Sequence, residues 1–146
     1  MPTVESSILV KGPKEEAYRI ARNMEDYPRF MENVKQVKVV QREGNWTVTD
    51  WVTNVDGRII KWQEKDIFNE ERPHIEYRQV AGDLKKFEGE WRFEEVAEGT
   101  VITLTVDFEL GIPMLSGLLN PILKKKTLQN CEAMLTAIKE QVELAG

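Results

Sequence analysis

The sequence predicts an α+β domain: one strand, two short helices, six strands in an antiparallel meander and one long C-terminal helix. Three observations lead to that prediction. From Val34 to Leu110 the apolar residues recur with period two between regularly spaced turn signals. Near the C-terminus Leu128, Cys131, Leu135, Ile138 and Val142 step by three and four, an apolar stripe on one face of a helix. The length of 146 residues, with 41% hydrophobic and 31% charged, suits a single domain over residues 1–146.

The first strand runs from Val4 to Val10, where Ile8 and Val10 alternate with polar neighbours. Pro13 suits the start of a helix, and Ala17, Ile20, Ala21 and Met24 follow at helical spacing. A second short helix is predicted over Tyr27 to Asn33, with Asp26 as N-cap and Pro28 in its first turn. The meander follows, punctuated at Glu43-Gly44-Asn45, Asp56-Gly57, Asn69 to Pro73, Gly82 to Lys86 and Ala97 to Gly99. Its runs are rich in Val, Ile, Thr and aromatic residues, which suit a pleated surface. The last helix, from about Ser116 to Leu144, would be roughly 43 Å long, and a meander wrapped around it gives the stripe its partner.

Composition excludes several functions. A net charge of −5 argues against DNA and other non-specific nucleic-acid binding, which needs a basic footprint. A single Cys131 and a single His74 rule out an internal disulfide and predict no metal site. No glycine-rich phosphate loop follows a strand, and no cofactor is expected. Met-Pro-Thr-Val-Glu does not open a signal peptide, so a cytoplasmic protein is expected. The apolar stretch 110–123 is broken by Gly111, Pro113, Gly117, Asn120 and Pro121, so it supplies no membrane span. Lys124-Lys125-Lys126 reads as a solvated face of the long helix.

Strand alternation selects the candidate site. In Arg58 to Phe68 one face carries Ile60, Trp62, Glu64, Asp66 and Phe68, and the other carries Lys61, Gln63 and Lys65. The polar trio puts the Trp62 face inside, so Glu64 and Asp66 point inward, about 6.6 Å apart by strand rise. Inward carboxylates are costly unless paired or solvated. They form either the polar end of an apolar cavity, or a pair that meets cations or is turned outward by a bulge. In the next strands Phe87, Gly89, Trp91 and Phe93 face in, as do Ile102, Leu104, Val106, Phe108 and Leu110. Gly89 leaves a hole in that face or permits a bend. The face of His74 to Val80 is ambiguous, because Ile75 and Tyr77 favour one phase and Val80 the other.

Several segments resemble a known superfamily. They are Tyr27-Pro28-Arg29-Phe30-Met31, Phe87-Glu88-Gly89-Glu90-Trp91-Arg92-Phe93, Gly99-Thr100-Val101-Ile102 leading into Val106-Asp107-Phe108-Glu109-Leu110, then Asn130 and Ala137-Ile138-Lys139. In order and spacing the chain resembles the helix-grip superfamily of START lipid-transfer domains, the polyketide cyclase/dehydrase family and Coq10-like quinone-binding proteins. The resemblance implies a curved antiparallel sheet around the C-terminal helix, with a pocket between them. Aromatic walls of the polyketide cyclases look similar at Tyr27, Trp62 and Trp91, and their strand arginine and helix asparagine at Arg78 and Asn130. Those cyclases place a serine and an arginine where this chain has Glu64 and Asp66, which removes a cation from the site.

Three functions are therefore expected in order of preference. The first is binding of a hydrophobic small molecule such as a lipid, isoprenoid quinone or polyketide. Tyr27, Trp62, Tyr77, Trp91 and Phe108 would supply apolar contact, and Glu64, Asp66, Arg78 and Asn130 would orient a polar end. In such a fold Met114, Leu118, Leu119 and Leu123 would form a lid that touches a membrane transiently, or a plug closing the core. The second is a cyclase or dehydratase with Glu64 or Asp66 as base and Arg78 at a developing oxyanion. The third is an accessory factor with a protein partner.

Overall fold

A computed structural model describes residues 3–55, 57–82, 84–109 and 113–145, with the backbone alone described for residues 55, 58, 113–120 and 145. The chain runs β1 (Thr3–Val10), α1 (Lys14–Arg22), a single 3-10 turn (Met24–Asp26), α2 (Tyr27–Phe30), β2 (Val34–Glu43), β3 (Trp46–Val55), β4 (Arg58–Asn69), β5 (His74–Gly82), β6 (Lys86–Val96), β7 (Gly99–Glu109) and α3 (Pro113–Ala145). The seven strands form one curved antiparallel sheet in the order β1-β7-β6-β5-β4-β3-β2. The meander puts β2 to β7 side by side, and β1 returns to pair with β7 from Thr3↔Asp107 to Val10↔Thr100. β1 and β2 are thus the two edges, and α1 with α2 carries the chain from one to the other.

The predicted stripe of α3 is the keystone. Cys131, Leu135, Ile138 and Val142 are buried, Met134 joins them, and Leu128 is half-buried against the core. They cover Val4, Val10, Ile102, Leu104, Val106 and Phe108 of β1 and β7, together with Ala17 and Ala21 of α1. The helix starts at Pro113, ahead of the predicted Ser116, and its 33 residues span about 50 Å.

Other boundaries differ for local reasons. α2 ends at Phe30 rather than Asn33, because Met31 turns extended at φ −114° and ψ 112° while its N–H closes the last turn on Tyr27. Asp26 makes no side-chain cap; its carboxylate lies 3.8 Å from Arg29 instead. The ambiguity in β5 has a structural cause. A bulge shifts the β4–β5 register between Gln63↔Ala81 and Glu64↔Gln79, leaving Val80 unpaired and exposed. Before it Ile75 and Tyr77 face in; beyond it the phase reverses and Gly82 lies over Trp62.

Gly89 leaves no hole. Tyr77 lies directly across from it, and the Tyr77 hydroxyl crosses β6 to donate to the Thr105 carbonyl at 2.6 Å. A Cβ at position 89 would stand 1.9 Å from that carbonyl oxygen and 2.6 Å from the tyrosine oxygen. Glycine is required here by close approach. Gly89→Ala is therefore expected to lower unfolding stability by about 1–3 kcal/mol through overpacking. Urea titration checks this, and an unchanged midpoint would refute the close-approach argument.

Candidate functional site

The site is built on the β3–β4 ladder. Trp51 pairs with Trp62, Thr49 with Glu64 and Thr47 with Asp66, so all six side chains point to the same inner face. Tyr77 of β5 stands opposite Asp66, and Phe87 lies two residues before Gly89 on β6. The rings form a continuous wall. Trp51 and Trp62 stack at 5.4 Å with planes 8° apart, and Phe87 meets Trp62 at 5.3 Å and Tyr77 at 5.7 Å. From α2, Tyr27 packs on Trp51 at 5.8 Å and Trp91 at 6.4 Å. Phe108 is buried on β7 opposite Phe87.

Within this wall Glu64 is 4% exposed and Asp66 has no exposed surface. Each receives neutral donors. The Trp62 indole N–H donates to Glu64 Oε1 at 2.7 Å, and the Thr49 hydroxyl donates to Asp66 Oδ2 at 2.7 Å, with Thr47 farther off at 3.5 Å. The Trp51 indole N–H in turn holds Thr49 at 2.8 Å. Among the described residues no ion pair includes either acid, although surface pairs are plentiful. Neither a cation partner nor an outward turn accounts for them.

Burial pushes Glu64 well above the usual carboxylate range, and the neighbouring Asp66 charge and a hydrogen bond with Asp66 push the same way against the Trp62 donor. Burial also raises Asp66, opposed by hydrogen bonds from Glu64, Thr49 and Thr47. Burial thus pushes both carboxyls of this adjacent pair toward the neutral form. Asp66 Oδ1 has no hydrogen-bond partner. Burial holds the surrounding groups neutral, and the fields of the two acids add to it at the tyrosines. Tyr27 and Tyr77 are raised well above ordinary phenols, and burial pushes the Cys131 thiol up to about 12, which fits a small core residue rather than a nucleophile.

Two predicted site residues are corrected. Arg78 is exposed, opposite Lys65 and Glu88 on the outer face, because it alternates with the buried Tyr77. It cannot orient a ligand inside or steady an oxyanion there. Asn130 accepts a hydrogen bond from the Asn33 amide and donates to Met134 Sδ at 3.8 Å, tying α3 to the loop after α2. It lines a groove of about 560 Å³ between those elements, among Gln129, Glu132 and Glu140. Leu123 is half-buried against the core, and the side chains of Met114, Leu118 and Leu119 lie outside the described residues. His74 is half-buried, with Nε2 at 3.0 Å from Glu90.

Thr47, Thr49, Trp51 and Phe87 belong to the site without having been singled out. The signal was available in β3, where Thr47, Thr49, Trp51 and Thr53 share one strand parity and all are buried. Thr47 and Thr49 also border a hollow of about 310 Å³ lined by Arg22, Met24, Arg42 and Phe68. No group of residues with metal-holding geometry occurs among the described residues, and no described helix is long and apolar enough to cross a membrane.

Known proteins share this fold. The structure of TTHA0849 from Thermus thermophilus is 32% identical, covering 99% of both chains with a TM-score of 0.92. The Zhui aromatase/cyclase from a Streptomyces species shares the fold at 20% identity, covering 97% of this chain and 93% of its own with a TM-score of 0.89. The granaticin polyketide synthase bifunctional cyclase/dehydratase of Streptomyces violaceoruber is 25% identical over 103 residues, which is 67% of this chain and 32% of that protein. The chain spans about a third of the length of that curated relative. Residues 10–135, which include every strand of the acid-and-aromatic wall, match the model of one family. The fold is the helix-grip fold, and the chain belongs to the family described as polyketide cyclase / dehydrase and lipid transport.

Proposed function

We propose that the protein binds a hydrophobic small molecule between the inner face of its sheet and α3, with Glu64 and Asp66 taking the molecule's polar end. One observation carries the reading. Two carboxyls are buried in an aromatic wall with only neutral donors and no cation. A core that served packing alone would be more stable with apolar residues there. Stability given up at a defined place is the mark of a site kept for its ligand. The cyclase, dehydratase and lipid-transport descriptions of its family and relatives support a ligand with a large apolar body.

Two adjacent carboxyls that burial pushes toward the neutral form favour a second reading, proton transfer to or from a bound polyketide-like substrate by Glu64 and Asp66. With Arg78 on the outer face, that chemistry would have no arginine at the oxyanion. Turnover that survives in Glu64→Gln would sink this reading.

The binding reading is tested by mass spectrometry of the gently purified protein, intact and after organic extraction. A stoichiometric apolar adduct is expected, and Trp62→Ala should weaken its binding about tenfold or more. A clean apo mass, with no quenching of tryptophan fluorescence by a panel of fatty alcohols, isoprenoids and polyaromatic ketones, would overturn it.

The stability cost is testable separately. Both folded-state acids titrate above their unfolded values, so their stabilising balance is complete below the ordinary carboxylate range. It is lost as pH rises through the folded-state titration. Glu64→Gln should remove that loss. Urea denaturation at pH about 8 should show the variant more stable than wild type by about 1 kcal/mol or more, and at pH about 4 the gap should shrink. A variant less stable at both pH values would contradict the assignment.

A further inference from the structure

The long helix presents two faces. Cys131, Leu135, Ile138 and Val142 look into the core, and about half a turn round the helix a second seam looks outward. Ile122, Lys125, Gln129, Ala133, Thr136 and Glu140 step by three and four along that seam, and all are exposed. Leu144 continues the spacing. Both ends of the seam are therefore apolar, with Ile122 53% and Leu144 80% exposed. Its middle walls the groove of about 560 Å³, whose opposite wall is Phe30 to Asn33 with Asn54.

The order of residues along the seam selects the partner. From Ile122 to Leu144 it runs apolar, cationic, polar, small, polar, anionic, apolar. Its complement is the same series reversed. Ile122 and Leu144 each lie 11 residues from Ala133, and Lys125 and Glu140 lie 8 and 7 from it. A two-fold axis beside Ala133 thus lays Lys125 against Glu140 of a second copy, and Ile122 against its Leu144, each contact made twice. The mismatch of one residue is about 1.5 Å of helix rise, which a lysine stem spans. A parallel pairing would set like charges against each other. Both charges are available, because among the described residues neither Lys125 nor Glu140 enters an ion pair, whereas Glu143 is held by Lys139 at 2.8 Å. Ala133 and Thr136 are small, which lets two helix axes approach to about 8–10 Å. Glu132 flanks the axis and is exposed, so its carboxylate keeps its water.

We infer that the outer face of α3 docks a second copy of this chain, antiparallel, about a two-fold axis beside Ala133. Lys125 and Glu140 fix direction and register by charge, and Ile122 and Leu144 close the two ends by apolar contact. The surface lies on the opposite face of α3 from the core, so it is separate from Glu64 and Asp66.

The test is sedimentation equilibrium of the intact protein over a dilution series, at low and at high salt. Wild type should dimerise reversibly, and more weakly at high salt because the interface charges are screened. Lys125→Glu and Glu140→Lys should each weaken the dimer about tenfold or more, since each sets like charges opposite one another. An equimolar mixture of the two variants should associate again, and so should the double variant, because both restore opposite charges in the same register. Circular dichroism should show each variant folded, since both positions are exposed. Wild type that stays monomeric throughout the series overturns the inference. Single variants that dimerise as wild type does, or a mixture that does not associate, overturn it as well.

Discussion

The sheet has one face that must be covered, and α3 is the principal element long enough to cover it. That constraint organises the molecule. Cys131, Leu135, Ile138 and Val142 close over β1 and β7, so the two terminal regions of the chain are packed on each other. With that end sealed by apolar side chains, the inner faces of β3, β4 and β5 are free to carry something other than an ordinary core. The apolar area buried along α3 and β7 is the stabilising reserve from which a costly site can draw.

The cost is concentrated in two residues. A carboxyl taken out of water loses its hydration, and neutral indole and hydroxyl donors return only part of it. The penalty is limited because burial pushes both acids toward their neutral forms, so that less charge is taken out of water. The donors are themselves ordered in a chain, from Trp51 to Thr49 to Asp66. The stacking of Trp51 on Trp62 fixes both indoles that supply these bonds. Geometry, charge and packing are therefore one device, and it spans a single pair of adjacent strands.

Tyr77 shows how backbone and side chain cooperate around it. Its ring fills the space over Gly89, and its hydroxyl is spent on Thr105 of β7, two strands away. The phenol thereby becomes wall rather than donor, which leaves the acids as the polar feature of that face. The bulge at Val80 performs the complementary adjustment, reversing the phase of β5 after Tyr77 so that Gly82 admits Trp62.

Alternation is a local property, so the sequence by itself determined which residues of β4, β6 and β7 face inward. It likewise determined the stripe of α3, the order of the elements and the inward aim of Glu64 and Asp66. Arg78 was out of reach because a bulge set by the register with β4 decides where the phase of β5 changes, and single-strand periodicity contains no partner strand. Asn130 was misplaced because its bond to Asn33 joins residues far apart in the chain, at a helix crossing that no spacing rule describes. The threonines of β3 carried a legible alternation, but their meaning depended on lying opposite the two acids. Whether two inward carboxyls meet cations, water or each other is a question of three-dimensional proximity and of the dielectric around them. Only the packed structure settles it, because desolvation and Coulomb fields depend on distance through space rather than along the chain.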